Sequence, residues 1–172
     1  MGGTGGADPV LLAHQDRHLW DRLLIHRGLT ALHTAEQPGG GPYTVQAAIA
    51  ACHAQARSVD STDWPRIAAL YTVLAYLAPL PVVALNRAVA VGMADGPARG
   101  LELADELRDE RALAGYPALS AVRASLLQRL GRHHEAQAEF QRAAERTSNN
   151  QQRRLYLHQA SQAQPDEQEA GQ

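Results

Sequence analysis

Residues 119–146 read LSAVRASLLQRLGRHHEAQAEFQRAAER. Leu119, Val122, Leu126, Leu127 and Leu130 recur at helical spacing and share one apolar face. Gly131 then supplies a left-handed backbone position, which ends a helix at little cost. Ala136, Phe140 and Ala143 follow at spacings of four and three, giving a second stripe on a second helix. The stretch is therefore a helical hairpin folded around one glycine, and the rest of the chain can be read outward from it.

Composition extends the helical reading to the whole chain. The 172 residues suffice for one domain with a real core. Aromatic residues are only 5%, and Ala and Leu dominate the apolar set, which favours helices over strands. No run alternates for long enough to read as a strand. The net charge of −2 comes without a basic stripe, which argues against nucleic-acid binding by these residues alone. Every basic residue is Arg, a bias that points to a GC-rich bacterial genome. The single Cys52 excludes an internal disulfide and fits a reducing, cytoplasmic compartment. No apolar run approaches the ~20 residues of a membrane span. The opening MGGTGGADP has no hydrophobic signal region. Residues 1–9 read as a flexible linker or a boundary, with the natural protein expected to begin upstream.

Breakers and caps divide residues 10–162 into about eight helices. The first runs from about Arg17 to Glu36 after an Asp16 cap, with Leu19, Trp20, Leu23, Leu24 and Leu32 inward. QPGGGP at 37–42 stops it. Val45, Ile49, Cys52 and Ala56 mark a helix ending near Ser58, and Thr62 or Asp63 caps the next, with Pro65 in its first turn. PLP at 79–81 separates that helix from a nearly all-apolar one carrying Val82, Val83, Leu85, Val89 and Val91, which should be central. Pro97 opens a helix reaching about Asp109, and Ser148 or Asn149 caps a last one to about Gln162. The polar residues 163–172 read as a disordered tail. Short loops between helices imply antiparallel neighbours.

The hairpin recurs. A shift of 36 residues puts Ala88 on Ala124, Gly100 on Ala136 and Ala104 on Phe140, and a looser unit spans Tyr43–Ala78. The pattern resembles the tetratricopeptide repeat, which needs small residues where its helices cross and a large ring beside them. Ser120 and Leu127 depart from it, since aromatic residues are usual at those two positions. The expected fold is all-α: antiparallel helical hairpins stacked as a right-handed superhelix.

Several stretches resemble one setting of such repeats: DRxxWD (16–21), GPYxxQAAIAAxH (41–53), TDWxxIxxLY (62–71), PxPVVxLNRAVA (79–90), GPxxGL (96–101) and RxxLLxRLGR (123–132). In this order they resemble the C-terminal region of bacterial extracytoplasmic-function RNA polymerase sigma factors that carry a tetratricopeptide-like extension. The resemblance covers about residues 10–157. It implies a protein-interaction or regulatory module in transcription initiation, contacting sigma domains or RNA polymerase. Promoter DNA would be read only by domains upstream of this region. A general peptide-binding repeat scaffold and a ligand-sensing domain fused to an effector are the alternatives.

No sequence motif for nucleophilic catalysis or phosphate binding is present, and neither an enzyme activity nor a cofactor is expected. His14 and His18 stand four apart but lack a third ligand nearby, so no metal site is expected either. Arg87 and Arg123 are the unusual residues, because they occupy equivalent positions of two repeats where an apolar side chain is commoner. With Asn86 they either line a groove that holds a carboxylate, or they form internal ion pairs or caps, with Asp63 or Asp95 as partners. Trp20 and Trp64 sit on apolar stripes as expected core rings, with partner contact as the alternative. The candidate interaction residues are thus Asn86, Arg87, Arg123, Asp63, Trp64 and Trp20.

Overall fold

Proline and glycine punctuate the chain as helices demand. A computed structural model describes residues 41–163. The first five helices each carry Pro in their first turn: α1 (Pro42–Gln55), α2 (Trp64–Leu77), α3 (Pro81–Ala94), α4 (Pro97–Asp105) and α5 (Pro117–Arg129). Proline is well tolerated there because the N–H it lacks has no intrahelical acceptor. Two more helices follow, α6 (His133–Arg146) and α7 (Asn150–Gln162). The described residues are thus all-α, with seven α-helices and one 3-10 turn (Arg111–Leu113) and no strand. The helix expected at 17–36, with Trp20, His14 and His18, lies outside the described residues.

Each helix packs on the next in order, so the chain forms consecutive hairpins. The turn around Gly131 closes α5 as the sequence implies. Gly131 has φ +73°. Its N–H donates to the Gln128 carbonyl at 3.0 Å, and Arg132 N–H reaches back to the Leu127 carbonyl at 2.9 Å. Those two bonds are the paired closure of a glycine-terminated helix, and they satisfy carbonyls that the helix leaves open.

Two apolar cores result, and α3 joins them. Val83, Ala90 and Val91 pack with α1 and α2, around Ile67 and Leu74. Leu85 and Ala88 pack with α4 to α7, around Leu127, Phe140 and Tyr156. The almost unbroken apolar surface of α3 thus has a physical reason: it faces both cores. The α3–α4 crossing is the tightest point. A Cβ on Gly100 would stand 2.6 Å from the Gly92 Cα. Gly92 also leaves space that Leu126 of α5 occupies. Arg129 ties α5 to the end of α3, donating to the Gly92 carbonyl at 2.9 Å.

Capping follows the expected residues. Asp63 caps α2 by accepting from Arg66 N–H at 3.1 Å, and Asn149 caps α7 by accepting from Gln151 and Gln152 N–H. One boundary differs. α4 ends at Asp105, not near Asp109. From Leu107 to Arg108 the backbone bonds tighten to a three-residue reach, which turns the chain toward the 3-10 turn and buries Leu113 in the second core. No helix among the described residues is long and apolar enough to cross a membrane.

Trp64 anchors the loop between α1 and α2. Its ring is buried and meets His53 edge-on at 5.5 Å, and its Nε1–H donates to the Val59 carbonyl at 3.0 Å. Trp64→Phe should therefore cost about 1–2 kcal/mol, from the lost indole hydrogen bond and lost ring area, although the Val59 carbonyl keeps the Thr62 N–H at 3.2 Å. Urea unfolding followed by circular dichroism checks this.

Candidate functional site

Arg123 sits mid-way along α5, on the side that faces the end of α4 and the body of α6. Its side chain is 11% exposed. The sequence would leave such a group costly unless paired, because burying a lone charge carries a large penalty. Two carboxylates meet it. Nη1 donates to Asp105 at the end of α4, and Nε lies 3.4 Å from Glu139 Oε1 on α6, within ion-pair range but off the direction of a hydrogen bond. Glu139 is itself buried, and accepts from Arg142 Nη1 at 2.7 Å. Arg146 closes the edge, donating to Ser120 Oγ at 3.3 Å. These groups line a cavity of about 520 Å³ together with Leu119, Arg108 and Asp109. Four arginines and three acids share it, so its charges are nearly balanced internally.

Arg87 occupies the matching place on α3. It is half-buried, and its Nε–H donates to Thr72 Oγ1 at 3.2 Å. Thr72 is fixed in turn, since its hydroxyl donates to the Ala68 carbonyl at 3.0 Å. The surrounding groove, about 300 Å³, is formed by α2, α3 and α4. Asp95 and Arg99 line it, and Arg99 is held by Glu102 one turn along its own helix.

The remaining candidates separate from these grooves. Asn86 is half-buried beside Arg87 and lines neither cavity. Asp63 serves as the α2 cap, and Trp64 belongs to the first core. Neither Asp63 nor Asp95 forms an ion pair with either arginine; Arg123 takes Asp105 and Glu139 in their place. Those two acids escaped the sequence reading because they come from two other helices. The 36-residue register gives no signal for them, because it aligns Asp105 with Ala69 and Glu139 with Leu103.

Among the described residues no group of three or more His, Cys, Asp or Glu is placed to hold a metal ion. Cys52 is buried, and burial pushes its thiol above the ordinary range, against the smaller opposing pull of Arg66. A thiol held protonated is a poor nucleophile.

An uncharacterized protein of Rhizobium meliloti (strain 1021) is similar to this chain, with 45% identity over 135 residues. The match takes in 78% of this chain and 31% of that protein, so the chain spans about a third of the length of the curated relative it matches. No family model matches the chain, and no solved structure matches it.

Proposed function

We propose that this chain is the repeat-built interaction module of a bacterial extracytoplasmic-function sigma factor, regulating transcription initiation by contact with the sigma domains or with RNA polymerase. Its place would be cytoplasmic, and promoter DNA would be met by other domains of the same protein. The observation that carries this reading is a hairpin stack with a groove that presents Arg87, built on the motif order that resembles the sigma-factor extension. The position of the motifs fits such a role. TDWxxIxxLY and PxPVVxLNRAVA supply α2 and α3, and these two helices hold Thr72 and Arg87.

The relative's size is in keeping with a module. Its 135 matched residues are 31% of its length, which makes it about 435 residues long and leaves about 300 outside the match. That is enough for two further domains of common size.

The test is direct capture. The immobilised 172-residue chain is challenged with core RNA polymerase and, separately, with the remaining domains of its own full-length protein. Retention of one of them with a Kd of about 10 μM or tighter is expected for a contact that needs to operate within one polypeptide. No retention of either, or an upstream coding region without a helix-turn-helix domain, refutes the sigma-factor reading.

A further inference from the structure

The two arginine grooves share a repeat register around the arginine. Arg87 and Arg123 are 36 residues apart, and the positions that face their guanidinium groups keep that spacing. Moving Asp105, Arg108 and Glu139 back by 36 gives Ala69, Thr72 and Leu103, and all three line the Arg87 groove. In the later repeat the arginine meets two carboxylates of its own chain. In the earlier repeat the same two places carry a methyl group and an isobutyl group. A hydroxyl, Thr72 Oγ1, is what faces the guanidinium there.

The two arginines therefore differ in what balances their charge. Thr72 engages Nε, so both terminal amino groups of Arg87 lack a hydrogen-bond partner among the described residues. No carboxylate among those residues lies within ion-pair distance of Arg87; Asp95 lines the same groove but does not reach it. Arg99 also lines the groove, paired with Glu102 of its own helix. A groove of about 300 Å³ holds roughly ten waters' worth of volume, which is ample for a side-chain carboxylate. Arginine grips a carboxylate with two parallel N–H bonds, so Arg87 selects that group by geometry as well as by charge.

We infer that the α2–α3–α4 groove receives an Asp or Glu side chain from the partner protein, seated against Arg87 where Asp105 and Glu139 sit against Arg123. The inference rests on the interaction-module reading for the identity of that partner, but the site itself is defined by the repeat. The neighbouring groove is the internal template: it shows which chemical group the position takes when the chain supplies its own.

The experiment reads the arginine Nε–H resonances of the 172-residue chain by NMR, with N-acetyl-glutamate amide as the probe and N-acetyl-glutamine amide as its neutral counterpart. The Arg87 resonance, assigned by its loss in Arg87→Lys, should move saturably with the glutamate probe and not with the glutamine one. The Arg123 resonance should stay still, because its site is filled. Ala69→Asp places a carboxylate where the later repeat has Asp105, at an exposed helical position that tolerates it. In that variant the Arg87 resonance should stop responding. A wild-type response that is absent or equal for both probes, or an Ala69→Asp response like the wild type's, overturns the inference.

The capture experiment then separates the site from its assigned partner. Retention of the sigma domains should fall at least tenfold with Ala69→Asp and with Arg87→Gln. Retention unchanged by both variants overturns the carboxylate site and leaves the proposed function standing. Probe binding without retention of any sigma domain keeps the site and removes the partner.

Discussion

Gly100→Ala lowers the unfolding free energy by about 2–3 kcal/mol, although alanine is the better helix former by about 1 kcal/mol. The added methyl has nowhere to go. It would lie 2.6 Å from the Gly92 Cα, 2.8 Å from the Ala88 carbonyl oxygen and 2.9 Å from the Gly92 nitrogen. All three are backbone atoms of α3, so no rotamer change relieves the contact and the two helices must move apart. Both cores meet at α3, and the movement is felt in each. Gly92→Ala is the informative contrast. Its methyl would meet Leu126 Cδ2 at 2.6 Å, the end of a side chain that can turn aside, and the next atom stands off at 3.4 Å. That variant should cost about 1 kcal/mol or less, since the helix gain offsets part of the repacking. Urea titration of the two proteins side by side checks the order, and equal losses refute it. Gly100→Ala should also weaken partner binding, because Arg99 and Leu103 ride on α4 and form one wall of the Arg87 groove.

The Gly92–Gly100 approach also shows what a single sequence reveals. Aligning repeats placed Gly100 on Ala136 and so identified the crossing, because helices that pack this closely need small residues there. Gly131, Pro97 and the caps at Asp63 and Asn149 were legible for a similar reason: each is a local device whose partners lie within a few residues. The early end of α4 was not. The stretch after Asp105 keeps helical composition, and the chain turns away to bury Leu113 in the core that Leu101 and Ala104 share. The site divides in the same manner. That Arg87 and Arg123 are exceptional follows from the repeat pattern alone. Which of them is satisfied depends on Asp105 and Glu139, contributed by other helices, and on the corresponding Ala69 and Leu103, whose meaning emerges only once the grooves are compared. Trp64 illustrates the converse, since its position on an apolar stripe already pointed to the core role that its contact with His53 displays.

The two arginines should separate sharply when each is replaced by alanine. Arg123→Ala should cost about 2–3 kcal/mol. Breaking a buried pair costs about 3–5 kcal/mol when the remaining charge is stranded, but here both acids have relief. Asp105 is 45% exposed and can be hydrated, and Glu139 keeps Arg142. What is lost is the bridge between α4, α5 and α6, along with the packed stem of the arginine. Arg87→Ala loses one hydrogen bond to a hydroxyl and breaks no ion pair, so it should stay within about 1 kcal/mol of the wild type. A double substitution decides whether charge is the cause. Arg123→Met with Glu139→Leu removes both buried ions and retains volume, and should recover much of the loss, making the pair strongly non-additive. If both alanine variants destabilise equally, the two grooves are equivalent structural braces. If the large loss is confined to Arg123 while Arg87→Ala folds normally and fails to bind, the repeat uses one arginine to hold its own helices and leaves the other for a partner. Two copies of a position that differ by one pair of carboxylates would then divide structure from recognition.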